Sequence, residues 1–173
     1  RVYSIYERDL RRAGAVDFDD LLLLTARLLE HQPEVRRLCV DRWQYLMIDE
    51  YQDTNRAQFQ IASLLAGVSA PPHRERDQTT ATSADGGGDR ANICVVGDPD
   101  QAIYGWRGAD IANILDFEKS FAGCRVIMLG ENFRSTAPIL GAADALIQKN
   151  KRRKHKPLFT KRPGGRKVQV VLT

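Results

Sequence analysis

The chain has 173 residues, of which 43% are hydrophobic and 28% charged, and its formal net charge is +4. This composition is ordinary for a globular protein, and no apolar stretch approaches the roughly 20 residues that a transmembrane helix needs. No signal-peptide pattern opens the chain. We therefore expect a cytoplasmic protein with no membrane partner.

Apolar residues at helical spacing dominate the beginning of the chain. Their periodicity predicts a helical region over residues 3–30, interrupted near Gly14, and a short helix over 33–40. Further along, strands are predicted at 45–48, 93–96, 125–129 and 168–173, and helices at 56–66, at 111–119 and from about Ala137. Because strands separated by helices pair in parallel, this order predicts an α/β fold.

Two features stand apart from this alternation. Residues 67–92 are polar and rich in Pro and Gly, so they lack the apolar side chains that offset ordering entropy and are predicted to form a flexible insertion. It is either a partner site or an unselected surface loop. The cysteines, Cys39, Cys94 and Cys124, are far apart and flanked by apolar residues, which favours buried free thiols over a metal cluster or disulfides.

Two acids follow the predicted strand 45–48. In a buried parallel strand this places the Asp49 and Glu50 carboxylates at the carboxyl edge of the sheet, where open α/β sheets bind their ligands. Asp49 could then hold Mg²⁺, which prefers oxygen ligands, and Glu50 could orient or deprotonate an attacking water. The two acids could instead simply open the next helix, since acids favour helix N-termini.

The predicted strand 93–96 leads to the same edge of the sheet. Gly97 permits a tight turn there, and the acidic segment 98–100 brings Gln101 towards the carboxylates. On these grounds alone, Gln101 is either a phosphate contact or a helix-capping side chain.

An aromatic loop comes next. Tyr104 and Trp106 lie among Gly105, Arg107 and Gly108, which is typical of a platform on which nucleic-acid bases stack without sequence readout. Core packing of Trp106 is the alternative. Arg107 could contact a DNA phosphate, stack on a base or pair with an acid such as Glu50.

Positive charge is concentrated near the end of the chain. Between residues 149 and 167 there is no acid, and the basic residues are Lys149, Lys151, Arg152, Arg153, Lys154, Lys156, Lys161, Arg162, Arg166 and Lys167. Such a run is typical either of salt-sensitive contact with nucleic-acid phosphates or of a solvated loop.

Three ordered blocks resemble motifs II, III and IV of the UvrD/PcrA/Rep family of superfamily 1 DNA helicases. They cover residues 49–55, 96–110 and 132–136, and read Asp-Glu-Tyr-Gln-Asp-Thr-Asn, Val-Gly-Asp-Pro-Asp-Gln-Ala-Ile-Tyr-Gly-Trp-Arg-Gly-Ala-Asp and Asn-Phe-Arg-Ser-Thr. Upstream, residues 16–22 resemble the segment by which that family's chain returns to its first motor domain.

This resemblance implies a partial RecA-like motor core of the P-loop NTPase type. Residues 1–30 would end a helical subdomain of the 1B kind, 31–129 would form the core of the first motor domain with 67–92 as an insertion, and 130–173 would begin the second. The phosphate-binding loop G-x-x-x-x-G-K-[ST] is not found in the sequence. The resemblance therefore implies a fragment whose partners include the rest of a helicase chain.

The resemblance also implies roles for single residues. Gln101 would contact the γ-phosphate, and Arg134 would reach it across a cleft as an arginine finger. Phe133, where relatives often have Tyr, would stack on adenine, and Arg107 would link the nucleotide and DNA sites. ATP and Mg²⁺ are the implied ligands, and Ser135 or Thr136 would cap the next helix.

The implied activity is ATP-driven 3′-to-5′ movement on single-stranded DNA and unwinding at single-strand/duplex junctions, in DNA repair or replication. The alternatives are the motor part of a recombination helicase–nuclease subunit, a non-catalytic nucleic-acid-binding module and an inactive truncated product. We expect the isolated chain to have no significant ATPase activity.

Overall fold

The computed structural model describes residues 2–68 and 92–169. The predicted helical region at the start consists of two helices, α1 (Val2–Ala13) and α2 (Phe18–His31), followed by α3 (Pro33–Arg42). The interruption predicted near Gly14 is confirmed, since this glycine adopts a φ of +61° immediately after α1.

A two-stranded parallel sheet lies at the centre of the α/β arrangement. Strand β1 (Leu46–Ile48) pairs with β2 (Ile93–Val95), and helix α4 (Arg56–Leu65) lies between them in the chain. The α/β class and the parallel pairing are thus confirmed for the described residues.

The part of the chain after β2 differs from the prediction. In place of one helix over 111–119 there are two short helices, α5 (Ala112–Leu115) and α6 (Phe117–Ser120), which break at Asp116. The predicted strand at 125–129 is wrong. A strand requires a neighbour for its ladder bonds; the pairs formed by the described strands leave this apolar run without one.

Side-chain capping explains where two of the longer helices begin. Asp17 starts α2 and Asn55 starts α4, each through a capping box with the residue three positions later. Helix α7 (Ala137–Ile147) follows Thr136, as predicted, but the Thr136 side chain makes no capping hydrogen bond.

The core covers one face of the sheet. Tyr51, Phe117 and Phe121 form a buried aromatic cluster against which the alternate strand residues Ile48 and Val95 pack. The other face carries exposed Met47, which is 75% accessible. Helix α2 packs mainly against α4 beside this core.

The remaining predictions concern the cysteines, residues 67–92, residues 168–173 and membrane-spanning helices. All three cysteines are free, but the expectation that they are buried is wrong, because Cys94 is exposed and Cys39 and Cys124 are only partly covered. Most of the 67–92 insertion, and most of the 168–173 run, lie outside the described residues. Across 2–68 and 92–169, every helix is too short or too polar to cross a bilayer.

Gly97 lies where the core leaves no room for a side chain. A Cβ at this position would lie 2.6 Å from Gln52 Oε1 and 2.8 Å from Ile114 Cδ1. We predict that Gly97→Ala lowers the free energy of unfolding by about 1–3 kcal/mol, because overpacking forces its neighbours to move. Urea denaturation followed by circular dichroism measures this change.

Gly141→Ala is the matched control. Gly141 lies inside α7, and a Cβ there meets no atom within 4 Å. The substitution should leave stability unchanged or raise it by up to about 1 kcal/mol through helix propensity. Equal effects of the two alanines would contradict the close packing around Gly97.

Candidate nucleotide and nucleic-acid site

Hydrogen bonds past the ends of the two strands bring the acidic turns together. The Val96 amide donates to the Ile48 carbonyl at 2.8 Å, and the Tyr51 amide donates to the Val96 carbonyl at 3.0 Å. The turn that carries Asp49 and Glu50 therefore starts beside the loop that begins at Gly97.

Glu50 has an unusual backbone conformation. Its φ of 50° and ψ of 41° are left-handed, and within the described residues no other non-glycine residue has a positive φ. This conformation costs on the order of 1–3 kcal/mol and is often found at functional sites. It is supported locally, because the Glu50 amide donates to Asp49 Oδ1 at 2.9 Å.

Gln52 joins the two turns. Its side chain is buried, with 1% exposure. Its Nε2 donates to Glu50 Oε2 at 2.7 Å, and its Oε1 accepts from the Asp98 amide at 3.0 Å. One buried amide thus orients the Glu50 carboxylate and fixes the start of the 98–101 loop.

Asp98 organises the loop that carries Gln101. Asp98 Oδ1 accepts from the Asp100 amide at 3.0 Å, and Asp98 Oδ2 accepts from Gln101 Nε2 at 2.8 Å. Lys156 Nζ also contacts Oδ2. Burial alone would raise the pKa of Asp98, but the hydrogen bonds to its carboxylate outweigh burial and hold the pKa below its ordinary value.

The basic run divides into anchored and unanchored residues. Arg153 pairs with Asp100 at 3.0 Å, and these side chains are only 10% and 7% exposed. Lys154, Lys156 and Lys161 pair with Glu118, Asp98 and Glu131 respectively. These four cations pair with the chain's own acids, although Lys161 remains 78% exposed. Within residues 2–68 and 92–169 no ion pair holds the exposed residues Lys149, Lys151, Arg152, Arg166 and Lys167.

A second set of contacts ties the carboxylate turn to the aromatic loop. Asn113 Nδ2 donates to the Thr54 carbonyl at 3.0 Å and to Thr54 Oγ1 at 3.1 Å, and the Asp110 amide donates to the same carbonyl at 3.1 Å. Beside them Tyr51 is fully buried, and burial raises its pKa to about 12. Thr54 therefore connects the two predicted sites through the fold.

The aromatic loop forms an exposed surface. The ring centroids of Tyr104 and Trp106 are 6.5 Å apart, and Trp106 is 75% exposed. The Arg107 guanidinium lies 4.6 Å from the Trp106 ring and 5.7 Å from the Tyr104 ring. The exposure of Trp106 argues against its being a core residue. The Arg107 guanidinium lies against these two rings, and among the described residues no ion pair joins it to Glu50.

Phe133 and Arg134 lie in a separately braced loop. Asn132 Oδ1 accepts from the Arg134 amide at 3.1 Å, and Arg162 Nη1 donates to the Phe133 and Arg134 carbonyls at 3.3 and 2.8 Å. Phe133 is 78% exposed. In the described part of the chain, no hydrogen bond or ion pair joins Phe133 or Arg134 to Glu50.

The donor set at the strand ends suits a hard cation that is held mainly by phosphates and water. The Asp49 carboxylate is exposed next to that of Glu50. Mg²⁺ is commonly bound through one or two carboxylates together with substrate phosphates. Within residues 2–68 and 92–169 no group of three or more potential ligands forms a complete protein cage, so Asp49 fits only this shared mode of binding.

Sequence reasoning missed the side chains that position the site, which are Gln52, Thr54, Asn113, Arg153 and Lys156. The only sequence signal for any of these residues is charge complementarity, and it applies to Arg153 and Lys156. The two acids within 98–100 and the later acid-free basic run are complementary in charge, which indicates pairing, whereas the basic run by itself predicts a phosphate contact or a solvated loop.

Gln52→Met tests the buried bridge. Methionine fills a similar volume but leaves the Asp98 amide without its acceptor and Glu50 without its donor. We expect the free energy of unfolding to fall by about 1–3 kcal/mol, the usual effect of unpaired buried polar groups. Gln60→Met removes only an exposed hydrogen bond to Glu30 and should change stability by less than about 0.5 kcal/mol; similar losses would exclude a special role for Gln52.

Known proteins are similar to this chain along most of its length. The family model of the UvrD/REP helicase N-terminal domain matches residues 1–122. ATP-dependent DNA helicase PcrA of Staphylococcus aureus strain Mu50 is 45% identical over 167 residues, which are 96% of this chain and 20% of that protein. PcrA of Staphylococcus epidermidis strain ATCC 35984 is 44% identical over 168 residues, or 97% and 20%.

The chain thus spans about a fifth of the length of these relatives. The family model nevertheless covers most of the chain, including the blocks at 49–55 and 96–110. The predicted family resemblance is therefore confirmed, and the chain belongs to the UvrD/PcrA-type helicase family.

Proposed function

We propose that this chain is the central part of an ATP-dependent DNA helicase and that it couples nucleotide hydrolysis to movement on single-stranded DNA. The main support is the path of direct contacts between its two candidate sites. Gln52 joins the Glu50 carboxylate to the 98–101 loop, and Thr54 joins the same turn to the segment after the aromatic loop. A motor needs such a connection between hydrolysis and DNA binding.

In this proposal the residues at the strand ends handle the nucleotide. Asp49 would hold Mg²⁺ against the phosphates, which supplies charge neutralisation when the metal is bound. Glu50 would orient or deprotonate the attacking water, and Gln101 would contact the γ-phosphate. The left-handed backbone of Glu50 and its hydrogen bond from Gln52 hold the carboxylate in one direction.

The remaining roles belong to two other loops. Tyr104, Trp106 and Arg107 would bind single-stranded DNA by stacking, including at single-strand/duplex junctions. Arg134 would act on the γ-phosphate as an arginine finger and Phe133 would stack on adenine. Both residues are exposed on a loop that Asn132 and Arg162 brace.

The domain assignment follows the same proposal. Residues 1–30 would end a helical subdomain, 31–129 would form the core of a RecA-like motor domain, and 130–173 would begin a second one. The rest of the motor would supply the phosphate-binding loop. Polarity from 3′ to 5′ and a role in DNA repair rest on the family resemblance, and a cytoplasmic location rests on the composition of the sequence.

Two alternative functions would use the same site. A helicase–nuclease subunit would carry the same motor residues, and the sequence of the complete protein would distinguish it. A non-catalytic nucleic-acid-binding module would keep the aromatic loop without turnover. The left-handed conformation at Glu50 supports the catalytic proposal, because strained backbone conformations cluster at active sites and switch regions, and Glu50 lies outside the aromatic loop.

Glu50→Gln tests the hydrolytic half in a complete motor that includes this chain. We predict that DNA-stimulated ATP turnover falls by about 10²–10⁴-fold, the usual effect of losing a general base, while single-stranded DNA binding persists. Glu118→Gln, which removes another surface carboxylate, serves as the control. Turnover that survives Glu50→Gln, or clear Glu50-dependent turnover by the isolated 173 residues, would contradict the proposal as stated.

Trp106→Ala tests the DNA half in this chain alone. Loss of one stacking surface should weaken single-stranded DNA binding by about 1–3 kcal/mol, or roughly 5- to 150-fold in Kd. Fluorescence anisotropy across a salt series measures the affinity, which should fall with added salt for both proteins.

Ile103→Ala is the matched control for this measurement. Ile103 lies in the same loop and is 71% exposed, but it has no aromatic ring. Its affinity should stay close to that of the wild type. Equal losses for both variants would indicate a general disturbance of the loop, and a folded chain with no affinity for DNA would contradict a stacking site within these residues.

A further inference from the structure

The 98–101 loop is held by a segment that follows it by more than fifty residues. Asp98 contacts Lys156, and Asp100 contacts Arg153 at a separation of 53 residues. The four side chains are between 7% and 20% exposed. Two ion pairs from one short basic segment therefore fix both acids of one loop.

Lys156 and Gln101 share an acceptor. Gln101 Nε2 donates to Asp98 Oδ2 at 2.8 Å, and Lys156 Nζ contacts the same oxygen. This hydrogen bond orients the exposed Gln101 amide. Because Lys156 contacts the same oxygen, the lysine and the glutamine are linked through one carboxylate atom.

Lys156 also compensates the charge of Asp98. Without it, the Asp98 carboxylate, which is four-fifths covered, would have no cation beside it among residues 2–68 and 92–169. The cost of burying an unpaired charge would then drive the side chain towards water. Gln101 is bonded to that carboxylate and would move with it. A bare carboxylate would also repel any phosphate group that approaches Gln101.

The Asp100–Arg153 pair provides the fixed support. The Asp100 amide donates to Asp98 Oδ1 at 3.0 Å, so anchoring Asp100 also orients Asp98. Asp100 Oδ1 and Arg153 Nε are buried without a hydrogen-bond partner among the described residues. This pair is therefore held by a single hydrogen bond, and its loss would leave two buried charges.

We propose that Lys156 is a positioning residue for Gln101, acting through the shared Asp98 carboxylate, so that part of the basic run controls the nucleotide-sensing loop instead of contacting DNA. This inference rests on the proposed role of Gln101 at the γ-phosphate. It gives the 149–167 segment two functions, with Arg153 and Lys156 serving the nucleotide site.

A double-mutant cycle tests the inference in the complete motor. Lys156→Met should lower kcat/KM for DNA-stimulated ATP hydrolysis by about tenfold, within the range of couplings between contacting residues. Gln101→Ala should lower it at least as far. The double variant should match Gln101→Ala alone, because no amide remains for Lys156 to position. Lys156→Arg should recover most of the activity, since it keeps the charge.

Lys154→Met is the matched control. It removes the neighbouring ion pair with Glu118, which does not contact Asp98, and should leave kcat/KM unchanged. Thermal unfolding supplies the second readout: any loss of Tm from Lys156→Met should be the same in both Gln101 backgrounds. If Lys156→Met does not fold, Asp98→Asn replaces it in the cycle with little change in volume.

The outcomes separate this inference from the proposed function. If Gln101→Ala reduces turnover but the effect of Lys156→Met is additive to it, Lys156 has only a structural role and the inference is wrong while the proposed function stands. If Lys156→Met leaves kcat/KM unchanged, the inference is also wrong. If Gln101→Ala has no effect on turnover, both the inference and the proposed role of Gln101 fail.

Discussion

The parallel pairing of β1 and β2 is the constraint on which the candidate site depends. Its ladder runs past both strands through the amides of Val96 and Tyr51, so that two turns 45 residues and more apart in sequence begin side by side. Gly97 allows this approach because a Cβ there would collide with Gln52. Once the turns are adjacent, a single buried glutamine can satisfy both, and the Glu50 carboxylate acquires a fixed direction.

Charge compensation is the second physical theme of the molecule. The acids of the 98–101 loop lie in a partly buried position, where an unpaired carboxylate is costly. Arg153 and Lys156 supply the opposite charges, which explains why only part of the basic run is exposed. Nucleic-acid phosphates and the chain's own carboxylates would otherwise compete for the same cations, and burial decides the competition in favour of the carboxylates for these two residues.

Local pattern was enough to predict most elements of the fold. Periodicity predicts α1 to α4, and the capping boxes at Asp17 and Asn55 are written in three-residue spacings. The strand predicted at 125–129 is wrong, because an apolar run forms a strand only if a neighbouring strand pairs with it. The break at Asp116 could not be predicted, because the two short helices on either side of it depend on the packing of Phe117 and Phe121 into the core. This packing is a tertiary effect.

The residues of the candidate site also fall into those that local sequence predicts and those that it does not. The exposed residues Asp49, Glu50 and Trp106 are recognisable from motif and chemistry, because their residue types state what they can bind. The residues that hold the surrounding loops are not, since Gln52 and Lys156 both contact Asp98 at separations of 46 residues or more, although the hydrogen bond from Gln52 to Glu50 is local. A contact between two residues that are distant in sequence cannot be predicted from local pattern unless the two residues carry opposite charges.

The network also determines how the two candidate sites can influence each other. From Glu50 the contacts pass through Gln52 and the turn to Thr54, and from there through Asp110 to the strand bridge between Asn55 and Ala109. Every step is a hydrogen bond or a covalent link between described residues. A displacement of the carboxylate turn would therefore either carry the aromatic loop with it or break the hydrogen bonds that the Thr54 carbonyl accepts from Asp110 and Asn113.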